Sequence, residues 1–310
     1  MISNDRPQYR CIGCNRLSDE WVARCTSCGA RRSYKREVAT ASTRAKMVVT
    51  LGQYEPSPMD RVETGFRPWD ELMGGGMIPG TTMILGGNKG LGKSTITLKI
   101  LSMVPARSLL VTAEEQTELI GQRALRTGVL DVERGDQKVS IVHTSATEDA
   151  LWAIDEVDPS VIVIDSMNKF MSRRSDLGGS FGSGTQMKYL VDHLRYIADK
   201  RRKVVIVIGQ VRSDGTIAGP NMIQHDVDAV FLIKRDPKDK TLRRFFAVKN
   251  RFGSTDIITV ARMTERGLID PMEGSTMTYT QQMLEGLDED DQGGATPSTN
   301  VIEFPKKSTR

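Results

Sequence analysis

Cysteine is scarce in this sequence: four residues in 310, all between Cys11 and Cys28. That excludes a disulfide framework running through the chain. Long apolar runs are missing as well. The longest, VVIVI at 204–208 and VIVI at 161–164, fall far short of the ~20 residues that span a bilayer, and the opening MISNDRPQYR has no apolar signal-peptide core. The expected location is therefore the cytoplasm, with no membrane partner. Aromatic residues are few, at 5%, whereas 38% hydrophobic and 26% charged residues make a globular mix. A chain of 310 residues has room for one sizeable core and a smaller appendage. The net charge of +4 is small but unevenly spread: residues 1–46 hold ten Lys/Arg against four Asp/Glu, and 169–212 hold ten against three. Basic zones of this kind favour a polyanionic partner.

Composition divides the chain into four expected segments. Residues 1–35 contain every cysteine, 36–60 form a basic Pro/Ser-containing linker, 61–270 form the core, and 271–310 form an acidic tail with too few apolar residues to fold. Within the core, short β-branched runs (TTMILGG, SLLVTA, VIVID, KVVIVIG) alternate with helical stretches at 93–104, 116–127, 147–156 and 186–201. Apolar strands separated by helices predict an α/β fold, a parallel sheet with helices on both faces. From 227 onward strands follow one another quickly, which predicts antiparallel strands at one edge.

The chemistry is concentrated in GGNKGLGKST. Gly87-x4-Gly92-Lys93-Ser94 follows an apolar strand and opens a helix, the setting of a phosphate loop. Gly87, Asn88, Lys89, Gly90, Leu91 and Gly92 would wrap phosphates with backbone amides, Lys93 would reach the outer phosphates, Ser94 would take a Mg²⁺ position, and Thr95 continues the helix N-terminus. VIVIDS ends an apolar strand in Asp165, a second candidate for Mg²⁺ and its waters. After LLVTA come Glu114 and Glu115; Glu114 is the expected water-orienting carboxylate, with Glu115 as the acid of a helix N-terminus. The cysteines, Cys11-x2-Cys14-x10-Cys25-x2-Cys28, read as two knuckles that place Zn²⁺ in a closed structural site, with Trp21 packing beneath. Two disulfides or a redox pair are the competing readings. The basic neighbours Arg24, Arg31, Arg32, Lys35 and Arg36 suit DNA or a protein partner alike.

The order CIGC…CTSC, ELMGGGMIPGTTMILGGNKGLGKST, LLVTAEEQTELIGQRALRTGV, VIVIDSM, DGTIAGPNMIQHDVDAVF and AVKNRFGSTDIITVARMTERGL resembles the bacterial RadA (Sms) DNA repair and recombination family, from about residue 9 to 268. The resemblance implies a RecA-like P-loop ATPase core, using ATP, preceded by a four-cysteine zinc ribbon. It also implies a homo-oligomer, a hexameric ring on single-stranded or branched DNA that drives branch migration, working beside a recombinase or replisome protein. Two features depart from the family pattern. About forty polar residues stand where members carry a Lon-protease-like domain, and Gln210 stands where His is usual, resembling the switch glutamine of related motors. In such a ring two loops face the DNA. One holds Lys169, Arg173, Arg174 and Lys188, and the other begins at Arg212; with only Phe170 and Phe181 interleaved, base stacking is expected to be minor.

The stretch FFAVKNRFGS places Lys249 and Arg251 two residues apart at a strand end, so both side chains should point the same way. In a ring they would act in trans on the γ-phosphate of the adjacent subunit. Two alternatives stay open: a replicative-type hexameric helicase, and a nucleotide switch that binds proteins and not DNA.

Overall fold

The structure is a computed structural model that describes residues 8–14, 16–18, 21, 23–25, 27–31, 33–37, 60–130, 138–210 and 221–271. The expected linker, apart from its ends, the expected acidic tail beyond Pro271, Arg32, and the second loop with Arg212 lie outside the described residues.

The cysteine segment is built on three short antiparallel strands, β1 (Gln8–Cys11), β2 (Leu17–Ser18) and β3 (Tyr34–Glu37), in the order β2-β1-β3. Each is too short to bury a core of its own. The rest of the described chain forms one nine-stranded sheet. Its parallel part contains β4 (Thr82–Gly87), β5 (Ser108–Thr112), β6 (Val139–His143), β7 (Val161–Asp165) and β8 (Val204–Gln210). Next come β9 (Ala229–Arg235), β10 (Leu242–Asn250), β11 (Ile258–Thr264) and β12 (Gly267–Ile269). The order is β12-β11-β10-β9-β4-β8-β7-β5-β6. β9 runs parallel to β4, and the antiparallel extension begins at β10.

Alternation of side chains explains why the central strands are apolar throughout. Met83, Leu85, Leu110, Val163 and Ile206 face helices α1 (Arg67–Leu72), α2 (Lys93–Met103) and α3 (Thr117–Arg126), whereas Ile84, Val111, Ile162, Val205 and Val207 face α4 (Thr147–Val157) and α5 (Gly184–Arg201). Every residue of β4, β5 and β7 is buried. At about 1.5–3 kcal/mol for each fully buried aliphatic side chain, these two faces dominate the stability of the sheet. α5 starts at Gly184 rather than 186 because the Ser183 hydroxyl accepts from the Gln186 amide and caps the first turn. A short helix α6 (Asn221–Asp226) precedes β9. Among the described residues, no helix is long and apolar enough to cross a membrane.

The cysteine segment docks on one face of α5. Ser27 Oγ lies 2.5 Å from His193 Nε2, the Tyr189 hydroxyl donates to the Ser27 carbonyl, and Arg10 Nη1 donates to the Tyr196 hydroxyl at 2.5 Å. Positions 189, 193 and 196 share a helical face, as their spacing requires. One expectation fails here: Trp21 is exposed and does not pack beneath the cysteines. Phe170 is fully buried in the core, which agrees with the expectation that base stacking is minor.

Candidate functional site: a phosphate loop with two carboxylates

The sheet places its chemistry at the carboxyl ends of the parallel strands, where ligands of open α/β sheets bind. Gly87 ends β4 and lies in register with Gln210 of β8, and Thr112 of β5 lies in register with Asp165 of β7. Strand β8 separates the phosphate-loop strand from the Asp165 strand, so the two carboxyl ends meet across one intervening strand.

The loop between Gly87 and Lys93 turns back on a packed wall made by β9–β12. A Cβ on Gly87 would stand 2.5 Å from Ile233 Cγ2, and one on Gly92, whose φ is +93°, would stand 2.3 Å from Met263 Cε. Glycine is needed at Gly87 for want of space, since the Ile233 carbonyl also stands 2.9 Å from that Cβ, and at Gly92 because of its left-handed backbone, the Met263 methyl being the movable end of a flexible side chain. On the open side, a Cβ on Gly90 would meet nothing within 4 Å, which leaves the concave face clear for a ligand. Gly92 is the N-cap of α2, so the helix's free amides face the loop. The Lys93 ammonium donates to the carbonyls of Gly87 at 2.7 Å and Asn88 at 2.8 Å. Burial pushes its pKa down, opposed by the charges of Asp165 and Glu114. Lys89 is exposed beside it, and Thr95 follows Ser94 in the first turn.

Ser94 Oγ donates to Asp165 Oδ2 at 2.5 Å, joining loop and β7. Asp165 is only 4% exposed, and burial pushes its carboxyl up to about 6; the Ser94 bond opposes the rise, and the charges of Glu114 and Glu115 add to it. A hydroxyl and a buried carboxylate at this separation fit the ligand set of a magnesium ion beside a bound nucleotide. Glu114 is reached by two groups: Ser166 Oγ at 2.5 Å and Gln210 Nε2 at 3.5 Å. Glu115 is drawn away to Arg123 of α3. The backbone amides of both glutamates point at Thr112 Oγ1. Glu114, exposed at the strand ends, is thus the carboxylate free to accept a hydrogen bond from water. Ser166 carries no motif of its own, and its one signal in the sequence is adjacency to Asp165.

Lys249 and Arg251 stand at the end of β10. A bulge at Val248 interrupts the pairing with β9, yet both cations reach the same segment. Lys249 Nζ donates to the carbonyls of Gln224, His225 and Val227 at 3.1, 2.8 and 2.6 Å, closing the C-terminus of α6, and Arg251 Nη1 pairs with Asp228 at 3.1 Å. Burial and the neighbouring Arg251 push the Lys249 pKa down. The loop leans on the Gly74–Gly76 turn: Arg61 donates to the carbonyls of Met73, Gly76 and Phe252. Neither Arg61 nor Asp228 was singled out from the sequence, since braces of this kind carry no motif.

The four cysteine sulfurs lie within 4.8 Å of one another. Cys11 to Cys28 is 3.6 Å and Cys14 to Cys25 is 3.5 Å. Both are far beyond the ~2.05 Å of a disulfide and close to the ~3.8 Å edge of a tetrahedron with 2.3 Å metal–sulfur bonds. Ser33 Oγ at 3.0 Å from Cys11 Sγ, with the Ser27 amide and the Tyr34 hydroxyl beside Cys25, supplies the outer polar groups that thiolate sites use. The donor set fits a tetrahedral metal.

Three of the four cations expected at the first loop are engaged within the chain, and one of these, Lys188, lies on α5 and not in the loop. Arg173 pairs with Asp149 through both nitrogens, Arg174 pairs with Asp176 and donates to the Ser27 carbonyl, and Lys188 meets Asp192 and Asp226. Lys169 and Phe181 are exposed.

Fold and site together define a RecA-like P-loop ATPase. A model described as an AAA domain matches residues 50–216, more than half of the chain, and the chain belongs to that family. Similar proteins include the DNA repair protein RadA of Haemophilus influenzae, 31% identical over 286 residues, covering 86% of this chain and 60% of that one. The DNA repair protein RadA of Streptococcus pyogenes is 29% identical over 296 residues, covering 92% of this chain and 63% of that one. The chain thus spans a little over three-fifths of the length of these relatives. Among solved structures, the RadB recombinase matches with a TM-score of 0.53 at 23% identity, over 67% of this chain and 99% of that one, a likeness of fold.

Proposed function

We propose that this chain hydrolyses ATP to move on single-stranded or branched DNA, with branch migration in recombination and repair as its role, and that it works as a ring of six subunits. The observation that carries the reading is the position of Gln210. Its side chain lies 3.5 Å from Glu114, and it immediately precedes residues 211–220, the stretch assigned to DNA from the sequence. A group that touches the water-orienting carboxylate and leads into a DNA loop can make hydrolysis respond to DNA. The RadA relatives support the same direction.

In this reading residues 87–95 hold the triphosphate, Ser94 and Asp165 hold Mg²⁺, and Glu114 orients the attacking water. Magnesium, when bound, neutralises charge on the phosphate oxygens. Lys249 and Arg251 complete the site of the adjacent subunit. To do so Lys249 must exchange its three carbonyl acceptors for phosphate oxygens, which are the stronger partners. Zn²⁺ in the cysteine cluster stabilises the small β-ribbon. Lys169, Arg173, Arg174, Lys188 and Arg212 contact DNA phosphates.

A second reading, a nucleotide switch that binds protein, draws on the ion pairs that already satisfy Arg173, Arg174 and Lys188. ATP hydrolysis with and without single-stranded DNA, together with strand displacement on forked and three-stranded substrates, separates the readings. The motor reading expects stimulation by DNA and displacement on three-stranded DNA. Hydrolysis indifferent to DNA, with no DNA binding at low salt, would favour the switch, and displacement of simple forks alone would favour a replicative-type helicase.

A further inference from the structure

Arg243, on β10, is 5% exposed and no carboxylate pairs with it among the described residues. Its donors go to carbonyls: Nε to Leu91 at 3.0 Å, and Nη1 to Lys240 at 2.8 Å and Leu242 at 3.0 Å. Burying a guanidinium against neutral acceptors alone is unfavourable, and the fold alone gives little reason to do it. The first of these bonds, however, reaches the middle of the phosphate loop from a strand 152 residues away.

The geometry of a trans peptide gives that bond a consequence. The carbonyl of one residue and the amide N–H of the next point to opposite sides. With the Leu91 carbonyl held toward Arg243, the Gly92 N–H is turned away from the wall of β9–β12 and toward the concave side of the loop. The buried positive charge behind the loop also adds to the potential felt by an anion in it, with little water to screen it. We propose that Arg243 is a positioning residue of the nucleotide site, which fixes the phosphate loop in its anion-binding conformation without touching the ligand. It acts on the polyphosphate portion and is indifferent to the base. The inference rests on the P-loop reading but not on DNA or on a ring.

The test uses the full chain with Arg243→Met and Arg243→Lys. Affinity for fluorescent ADP is measured directly, and pyrophosphate and adenosine are measured as competitors, alongside thermal unfolding without nucleotide. Arg243→Met should unfold no more than several degrees below the parent, because removal of a costly buried charge offsets part of the cost of leaving the Leu91 and Lys240 carbonyls without this donor. Its affinity for ADP and for pyrophosphate should fall roughly ten-fold or more, as expected for loss of one bond from a charged donor. Adenosine affinity should hold, and Arg243→Lys should recover part of the loss. A folded Arg243→Met with parental affinity for ADP and pyrophosphate overturns the proposal, as does an equal loss for adenosine. Should Arg243→Met fail to fold, unchanged pyrophosphate affinity in Arg243→Lys overturns it instead. A parent chain that binds nucleotide but ignores DNA would refute the motor reading and leave Arg243 standing.

Discussion

A carboxylate buried as deeply as Asp165 is held there by the sheet, at a cost. Its carboxyl is pushed up from 3.8 to about 6, with burial as the first cause. A folded-state value above the unfolded one means that the folded chain holds the proton more tightly. The penalty is therefore absent below about pH 4, grows as pH rises to about 6, and is complete above it. The interval between 3.8 and about 6, at about 1.4 kcal/mol per pH unit, makes it roughly 3 kcal/mol. Asp165→Asn keeps an acceptor for Ser94 and removes the charge. In magnesium-free buffer it should raise the melting temperature at pH 7 by several degrees and leave it unchanged at pH 4, and with magnesium present it should abolish ATP hydrolysis. A lower melting temperature for the variant at pH 7 would show that the carboxylate is stabilised by its partners after all.

At the scale of the element, β10 ties several parts of the site together. Its first half braces the phosphate loop through Arg243, and its end carries Lys249, with Arg251 in the turn just beyond. The bulge at Val248, which is 53% exposed, inserts one residue between these halves. Val248 is the unpaired residue of the bulge, and Lys249 stands opposite Val230 on β9, so the role of Lys249 is read by truncating its own side chain. Lys249→Met should keep the fold by circular dichroism and keep nucleotide affinity, while lowering hydrolysis by a factor on the order of 10³, the scale of a lost phosphate finger. Retention of full hydrolysis would show that Lys249 serves only to cap α6.

At the scale of the whole molecule, the fingers are meaningful only if subunits meet. The Arg251–Asp228 pair is half in water, with side chains 54% and 21% exposed, and such pairs are worth about 1 kcal/mol or less. Arg251→Ala should therefore fold normally, and any loss of activity would be chemical. Mixing inactive Lys93→Ala with inactive Arg251→Ala should restore hydrolysis, since about a quarter of interfaces in a random one-to-one ring would pair an intact loop with an intact finger. Mixtures that stay inactive, or Arg251→Ala hydrolysing normally with DNA present, would place Arg251 outside the neighbour's site.

The sequence by itself determined the fold class, because apolar strands alternating with helices have few other ways to cover two faces of a sheet. It also marked the phosphate loop, since glycines, lysine and serine at that spacing carry their own geometry. The cysteine cluster was legible for the same reason: four sulfurs at knuckle spacing converge locally. Tertiary structure decided what local pattern cannot encode. Strand order put β8 between the phosphate loop and Asp165, and register set Gln210 opposite Gly87. Folding brought Ser166 to Glu114 across 52 residues and Arg243 to Leu91 across 152. It buried Phe170, exposed Trp21, and matched the loop cations with acids from α4, α5 and α6. Hydrogen bonds and ion pairs between distant segments depend on how helices and strands are stacked, and that arrangement leaves no periodic trace in the chain.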